Sequence, residues 1–270
     1  MNVMCVYRAS CFSPNMEEKD AAIMNCVADR LEQLGHVVYR LQEEQLSEDV
    51  SFVPNKIYSM GRFDQTLCVL QQLEMKGVEV VNSPVGVRNC ERKQFTQILM
   101  DEDVPFSKSK VFQTSESVSW DLFPCWLKKG EGYSNISEDV MYVQNYQELQ
   151  RGIGLMRQRG IQTAIVSQHL DGDLVKCYGV KDSQFFYWYY AQDGHSKFGL
   201  ETINGKKHGY SFSEEQLIEI CNQAATVVGI DIYGVDCVVG ADGAIHIIDI
   251  NDWPSFSSCR EKAAEIIVKR

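Results

Sequence analysis

The sequence lacks the short motifs that mark several large enzyme families. It contains no G-x-x-x-x-G-K-[ST], no complete G-x-G-x-x-G, no G-x-S-x-G and no H-E-x-x-H. These absences argue against a P-loop, a Rossmann dinucleotide site, an α/β-hydrolase nucleophile and a zinc metalloprotease. The ten cysteines are scattered singly without a C-x-x-C pair, so a zinc site with ordinary ligand spacing is not expected.

Positive charge is also scarce. Lysine and arginine number 26 against 37 aspartates and glutamates, which gives a formal net charge of −11. Nucleic acids and anionic membranes bind to basic faces, so neither is expected as a partner. A small anionic ligand is compatible with this composition, because it needs only a local group of cations.

Long apolar runs are missing as well. No stretch approaches the length of a membrane span, and the opening residues MNVMCVYRASCF are too briefly apolar for an export signal. We therefore predict a cytoplasmic protein whose cysteines are reduced thiols.

Hydrophobic periodicity divides the chain into three segments. Residues 1–83 alternate apolar strands with amphipathic helices, which indicates a parallel sheet covered by helices. The first helix is expected to start at Ser13-Pro14, because proline favours the first helical position. Residues 84–166 mix strands and helices, and residues 167–270 are rich in strands. The pattern predicts an α/β first segment followed by α+β structure.

The last two predicted strands flank Asp242-Gly243, a dipeptide that favours a two-residue hairpin turn of type I′. In that register Asp236 lies directly opposite Asp249, and side-chain alternation places Asn251 on the same face. Two opposed carboxylates repel unless one is protonated or a cation lies between them. The three oxygen-bearing side chains are therefore predicted to bind Mg²⁺ or Mn²⁺. Taken singly, Asp249 and Asn251 also fit a strand cap.

The spacing D-x12-D-x-N, from Asp236 through Asp249 to Asn251 and followed by Trp-Pro, resembles the metal end of the ATP-grasp fold. Aspartate at position 249, where the superfamily usually carries glutamate, is similar to the inositol-phosphate kinase branch. Three more segments resemble other parts of the fold in the same order along the chain. They are VVNSPVGVRNCERKQFTQILMDEDVPF, a helix with a lysine; PCWLKKGEG, a strand with a phosphate-binding lysine; and AIVSQHLDGDLVKCYGV, a hinge strand that binds adenine through its backbone.

This resemblance implies a Rossmann-like pre-grasp domain over residues 1–83 and two lobes, 84–166 and 167–270, that clamp ATP. Lys128 and Lys129 alternate faces on their strand, and the motif position selects Lys128 for the cleft. The resemblance also implies roles in nucleotide binding for a set of side chains. These are Lys93 and Lys128 at the phosphates, Gln168, His169 and Leu170 at the hinge, Asp173 near the ribose, and Lys176 near the phosphates. Pre-grasp domains of this kind often dimerise, so a homodimer is expected.

Arg8 and Arg62 each follow a predicted strand of the first segment. Ligands of open α/β sheets bind at the carboxyl ends of the strands. Both arginines are therefore candidates for binding an anionic small-molecule acceptor and for a catalytic role, with a surface salt bridge as the alternative.

The activity that the resemblance implies is an ATP- and Mg²⁺-dependent ligase. ATP would phosphorylate a carboxylate, and an amine would attack the acylphosphate with release of phosphate, while Lys128 and the arginines stabilise the transferring group. A kinase of the inositol-phosphate type that uses the same site is the second hypothesis. It ranks lower because the sequence offers few cations beyond those assigned to ATP. A nucleotide-binding module without catalysis is the third, and the complete set of metal ligands argues against it.

Overall fold

The computed structural model describes residues 1–47, 53–133, 136–193 and 200–270. Within these ranges the chain forms three four-stranded sheets with seven α-helices, so the predicted mixture of α/β and α+β structure is confirmed. No helix in the described ranges is long and apolar enough to cross a bilayer. The predicted segments 1–83, 84–166 and 167–270 each contain most of one sheet, although the strand Thr163–Gln168 of the central sheet crosses the boundary at residue 166, and the domain boundaries stay a prediction.

The N-terminal sheet is parallel, as the strand–helix alternation predicts, with the order β2-β1-β3-β4. Its strands are β1 (Asn2–Tyr7), β2 (Val37–Gln42), β3 (Lys56–Ser59) and β4 (Glu79–Val81), with helices α1 (Glu17–Gln33) and α2 (Asp64–Met75). The expected start of α1 at Ser13-Pro14 is wrong, since α1 begins at Glu17. The Ser13 hydroxyl donates to Asp20 at 2.6 Å and makes no helix cap.

The central sheet is antiparallel, with the order β5-β8-β6-β7. This part of the chain contains α3 (Pro84–Asn89), α4 (Arg92–Asp101), β5 (Ser109–Gln113), β6 (Cys125–Lys129), β7 (Val140–Val143), α5 (Tyr146–Gln158) and β8 (Thr163–Gln168). The short elements α3 and β7 do not emerge from the hydrophobic periodicity. Leu149, Ile153 and Met156 form the buried stripe of α5 against this sheet.

The C-terminal sheet is antiparallel, with the order β10-β9-β11-β12. Its elements are β9 (Asp173–Val180), β10 (Phe186–Tyr190), α6 (Glu214–Val228), β11 (Ile232–Val239), β12 (Ile245–Asp252) and α7 (Arg260–Ile267). Helix α6 buries Leu217, Cys221 and Ala224 against the sheet and ends at Gly229, whose φ of +84° suits a glycine cap.

Two contacts bring the sheets together around a cleft. The backbone of Ile247 in β12 exchanges hydrogen bonds with Pro105 and Ser107, which lead into the central sheet. Helix α7 packs on α1 of the N-terminal sheet, and the buried residues Trp253 and Phe256 join the same core. The carboxyl end of β12 therefore lies where all three parts of the chain meet.

Candidate active site

The opposed carboxylates are present as predicted. Asp236 of β11 pairs with Asp249 of β12, and Asn251 follows two residues later. The turn that produces this register is nevertheless different from the predicted one. Gly240 N–H donates to the Ala244 carbonyl, which leaves a three-residue loop closed by Gly243 at φ +81°. The predicted two-residue type I′ turn is wrong.

A β-bulge restores the register that the longer turn would have shifted. Cys237 pairs with Ile247, and Asp236 pairs with Asp249, so Ile248 is an extra residue on β12. Bulges commonly re-aim side chains near functional sites. Here the Ile248 carbonyl accepts a hydrogen bond from Lys128 Nζ at 3.1 Å.

Each carboxylate of the pair has a cation on its outer side. Lys176 Nζ lies 3.1 Å from Asp236 Oδ2, and Arg92 Nη2 lies 3.7 Å from Asp249 Oδ2. Both carboxylates keep 26% of their side-chain surface exposed, and Asn251 is exposed. Two carboxylates and an amide oxygen that face solvent from adjacent strands form a donor set suited to Mg²⁺.

A cavity of about 290 Å³ opens beside this pair and is lined by all three parts of the chain. Its two ends differ in chemistry. One end is apolar and includes Trp126, Leu170, Leu174 and Val238, while Val140 and Ile248 lie beside Lys128 between the two ends. The other end is charged and is formed by Arg62, Arg92, Lys128, Lys176, Asp236, Asp249 and Asn251. This first cavity can accept a ligand with a flat apolar group at one end and anions at the other.

Lys128 lies in the first cavity and is only 9% exposed. Burial lowers the pKa of its amine to about 8. The Asp249 carboxylate acts in the opposite direction and raises this pKa, whereas the positive charge of Arg92 lowers it further. An anionic phosphate beside the amine would favour its charged form. Lys129 points the other way, and its Nζ lies 3.5 Å from the Tyr133 carbonyl.

The structure does not bring Lys93 to the cavity. Its side chain is exposed on α4, while its backbone N–H donates to the Gly130 carbonyl. The preceding residue, Arg92, lines the charged end instead and donates to the Lys129 carbonyl at 3.3 Å. Consecutive residues of a helix point about 100° apart, so the cation that faces the cavity is Arg92.

On the hypothesis that the first cavity binds a nucleotide, replacing Arg92 with alanine should weaken that binding at least about tenfold, because a hydrogen bond to a charged group contributes roughly 1.5–3 kcal/mol. Lys93→Ala is the matched control and should change the dissociation constant by less than about twofold. Isothermal titration calorimetry with ADP and Mg²⁺ measures both. Equal losses for the two variants would contradict the assignment of Arg92.

The three hinge residues line the apolar end of the first cavity. His169 Nδ1 accepts a hydrogen bond from Trp126 Nε1 at 3.1 Å, so the ring proton of the neutral form is on Nε2. Burial lowers the pKa of His169, and this outweighs the nearby Asp171 carboxylate, which raises it. The lowered pKa favours the neutral form. The Leu170 carbonyl accepts from Asn204, while the backbone of Gln168 continues β8.

Asp173 does not line the first cavity. Its buried carboxylate accepts hydrogen bonds from the backbone N–H groups of His208, Gly209 and Tyr210. Burial raises the pKa of this carboxyl, but the three backbone donors outweigh it and lower the pKa overall. The expected position near a ribose is corrected to a structural one: Asp173 anchors the segment that follows Asn204.

Arg8 and Arg62 are buried together around Asp252 at the carboxyl end of β12. Arg62 Nη2 lies 2.6 Å from Asp252 Oδ1, and Arg8 Nη2 lies 3.2 Å from Asp252 Oδ2. Asp252 is fully buried, and Asp20 pairs with Arg8 from the other side at 3.1 Å. The arginines lie at strand ends as predicted, but the ion pair is internal and not on the surface.

Tyr133 closes the charged end of the first cavity. Its ring lies against the Arg62 guanidinium, with 4.0 Å between the guanidinium carbon and the ring centroid, and it also contacts Phe12. Arg62 itself is held by its backbone N–H, which donates to the buried Glu43 carboxylate at 3.0 Å. The loop after β6 is thereby joined to the N-terminal part of the chain.

A second cavity, of about 190 Å³, adjoins the first. It lies between the N-terminal part of the chain and the faces of β9, β10 and β11. The two cavities share Arg62, Lys176, Asp236 and Asn251. A ligand in the second cavity therefore meets the charged end of the first.

Arg92, Tyr133 and Asp252 are the residues of this site that sequence reasoning missed. Arg92 had a signal, because it begins the same helix as Lys93 in the segment CERKQF. Asp252 stands next to Asn251 but could not be distinguished from a strand cap without knowledge of the arginines that it contacts. Tyr133 had no signal beyond its place in the loop after Lys128.

No model of a known protein family matches the sequence, and no curated protein matches it. Solved structures do resemble it. The D-alanine–D-alanine ligase from Bacillus anthracis complexed with ATP shares 14% identity at a TM-score of 0.71, covering 98% of this chain and 92% of that one. A RimK domain protein ATP-grasp from Sphaerobacter thermophilus shares 15% sequence identity at a TM-score of 0.69. The match covers 100% of this chain and 98% of that one. The ATP-grasp ligase PsnB complexed with minimal precursor shares 14% sequence identity at a TM-score of 0.63. The match covers 99% of this chain and 98% of that one.

These likenesses run over nearly the full length of both chains in each pair, and they show that this chain has the ATP-grasp fold. The fold predicted from the resemblance is therefore confirmed. At such low identity the likeness shows the fold alone, and the chemistry has to be argued from the residues.

Proposed function

We propose that the chain is an ATP-dependent ligase that activates a carboxylate for attack by an amine. The observation that carries this proposal is the junction of the two cavities. The first cavity has the shape and charge for a nucleotide, and the second brings another ligand to Arg62, Lys176, Asp236 and Asn251. Two ligands that meet at one group of cations and carboxylates can exchange a phosphoryl group.

The apolar end of the first cavity would take adenine, beside the hinge residues and Trp126. Arg92, Lys128 and Lys176 would bind the phosphates, and their charges would stabilise the transferring group. Asp236, Asp249 and Asn251 fit Mg²⁺ or Mn²⁺, which when bound would neutralise phosphate charge.

The second cavity would hold the acid. A carboxylate oxygen attacks the γ-phosphorus of ATP, the bond from that phosphorus to the bridging oxygen breaks, and ADP leaves. The amine nitrogen then attacks the acyl carbon and loses a proton, and phosphate leaves with the former carboxylate oxygen. Arg62 borders both cavities, so its guanidinium can stabilise negative charge on the acid and on the transferring group.

A kinase that transfers the same phosphoryl group to a hydroxyl is the second candidate. Asp249, where the resemblance leads one to expect glutamate, is the observation that favours it. Most cations at the junction are already paired with carboxylates, which favours the ligase over a kinase for a multiply phosphorylated acceptor.

Phosphorus NMR with Mg-ATP and pooled acids, amines and polyols separates the two activities. The ligase should convert ATP to ADP and free phosphate only when an acid and an amine are both present. A new phosphoester signal, formed with polyols alone, would identify a kinase and overturn the ligase proposal.

A further inference from the structure

The second cavity is balanced in charge. Its lining includes three cations and three carboxylates, namely Arg8, Arg62, Lys176, Asp20, Asp236 and Asp252. Each cation has a carboxylate partner within 3.2 Å. The charge that Mg²⁺ would add at Asp236 and Asp249 is matched by the phosphates of the nucleotide. A ligand with several anionic groups would therefore find no surplus of positive charge here.

Every nitrogen of Arg8 already has a hydrogen-bond partner. Its Nε donates to the Met60 carbonyl, its Nη1 pairs with Asp20, and its Nη2 donates to Asp252 and to the Trp253 carbonyl. The second N–H of Nη1 is its one donor without a partner among the described residues, and it lies beside the Asp20 carboxylate, which repels an anionic ligand. Arg8 is therefore a structural residue of the cavity wall.

Arg62 retains one free nitrogen. Its Nε and Nη2 both donate to Asp252. Among the described residues, Nη1 has no hydrogen-bond partner, and Arg62 borders the second cavity. The planar guanidinium is fixed between Asp252 and the Tyr133 ring, so Nη1 is presented in one orientation. The cavity thus offers one well-placed cationic donor.

The rest of the wall is mixed, with polar groups at Ser13, Asn251 and Ser255 beside an apolar part. The apolar part is formed by Phe12, Met16, Tyr178, Tyr189 and Pro254. The hydroxyl groups of Tyr178 and Tyr189 lie 2.9 Å apart and share one hydrogen bond. The apolar part of the wall favours a ligand body with apolar or aromatic surface.

We propose that the acid bound in the second cavity carries a single carboxylate on an apolar or aromatic body. An acid with a second anionic group is excluded from this cavity. This specificity rests on the proposed ligase function. The carboxylate is bound by Arg62 Nη1 in a charge-assisted hydrogen bond. A second anion would lose its hydration against Phe12, Met16 or the tyrosines without gaining a cation.

The test measures binding by calorimetry to the full chain with Mg²⁺ and a non-hydrolysable ATP analogue. The probes are 3-phenylpropionate, phenylsuccinate (which adds one carboxylate) and inositol hexakisphosphate. We expect 3-phenylpropionate to bind at least about tenfold more tightly than either of the others. Comparable or tighter binding of a polyanion would overturn the proposal, as would the absence of binding by 3-phenylpropionate up to its solubility limit.

A substitution in the wall makes the same test from the protein side. Met16 lines the second cavity, and only its backbone carbonyl contacts the ion network, through the Asp20 N–H. Met16→Lys would keep that backbone contact and add one cation on a stem of similar length. Met16→Lys should reduce the ratio of the dissociation constants of phenylsuccinate and 3-phenylpropionate about tenfold. The control Met75→Lys, at a methionine that is 76% exposed, should leave this ratio unchanged. An unchanged preference in Met16→Lys would contradict the charge argument.

Turnover distinguishes failure of this specificity from failure of the ligase. If ADP and phosphate form with an amine and phenylsuccinate but not with 3-phenylpropionate, the ligase stands and the specificity is wrong. If 3-phenylpropionate binds selectively but no acid and amine pair yields ADP, the specificity stands and the ligase is wrong.

Discussion

Asp249→Asn should lower the rate of ATP turnover by at least about 100-fold. Loss of a residue that only supports a metal ligand typically costs 10–100-fold, and Asp249 is proposed as a ligand itself. The fold should tolerate the change well. Asp249 is partly exposed and directly opposes Asp236, so removing its charge relieves a repulsion of a few tenths of a kcal/mol. ADP release and the thermal unfolding midpoint measure the two effects.

Asp242→Asn is the matched control for Asp249→Asn. Asp242 belongs to the turn of the same hairpin, is exposed, and accepts the Ala244 N–H through a side-chain oxygen that asparagine retains. Its turnover should equal that of the wild type. The increase in ADP affinity that Mg²⁺ produces gives a readout independent of turnover. This increase should be smaller in Asp249→Asn and unchanged in Asp242→Asn. Normal turnover in Asp249→Asn would place the reaction elsewhere on the molecule.

The pairing at the open end of this hairpin was predictable from sequence, but its turn and the pairs nearest the turn were not. From Asp236 outwards the strands pair as predicted, whereas Cys237 pairs with Ile247 where a two-residue turn requires Ile248. Ile247 and Ile250 are both buried although they are three residues apart, because the bulge at Ile248 interrupts the alternation. The sequence does not show whether a loop of two or three residues closes the hairpin, because Asp-Gly fits both. The additional turn residue and the bulge at Ile248 compensate each other. The metal prediction was therefore reached through a turn that the protein does not use.

Local patterns predicted the large elements and failed on short ones. The alternation of strands and helices in the N-terminal segment was predictable, because each strand is a dense apolar run between helices. β7 has four residues and α3 has six, too few for a period to be recognised. The start of α1 was misplaced because Ser13 bonds to Asp20, a side chain that is itself tied to a distant arginine.

The contacts that organise the site are mostly long-range, and they are the part that no short pattern reveals. Asp252 meets Arg62 across 190 residues and Arg8 across 244. Each arginine alone resembles a surface residue, and the aspartate alone resembles a cap. The placement of Lys93 at the cavity was wrong for a different reason. The motif does not fix which of two adjacent residues carries the cation. On a helix, a difference of one residue decides which side chain reaches the cavity.

Asp252→Ala should destabilise the protein by about 3–5 kcal/mol, because it leaves the buried Arg62 guanidinium without its carboxylate partner and removes one of the two carboxylates that pair with Arg8. The Arg8 and Arg62 side chains are 6% and 7% exposed, so water cannot replace the lost partner. Asp252→Asn preserves the shape and removes only the charge, and it should retain part of the stability. Urea denaturation of both variants measures the loss.

A surface ion pair provides the comparison for Asp252. Glu265 pairs with Arg30 between α7 and α1, where both side chains are substantially exposed, so Glu265→Ala should cost less than about 1 kcal/mol. A loss at Asp252 no larger than the loss at Glu265 would show that the buried network contributes little.

The effect of pH supplies an independent check on the charge of Asp252. Burial alone would raise the pKa of this carboxyl, but Arg62 and Arg8 outweigh it and hold the pKa below its ordinary value of 3.8. The folded protein therefore binds fewer protons at this site than the unfolded chain. The contribution to stability is complete above pH 3.8 and disappears as the pH falls through the lower folded pKa. The stability difference between wild type and Asp252→Asn should accordingly be constant near neutral pH and shrink in acid. A difference that persists unchanged to the lowest pH at which the wild type folds would contradict the assignment of this stability to the charge of Asp252.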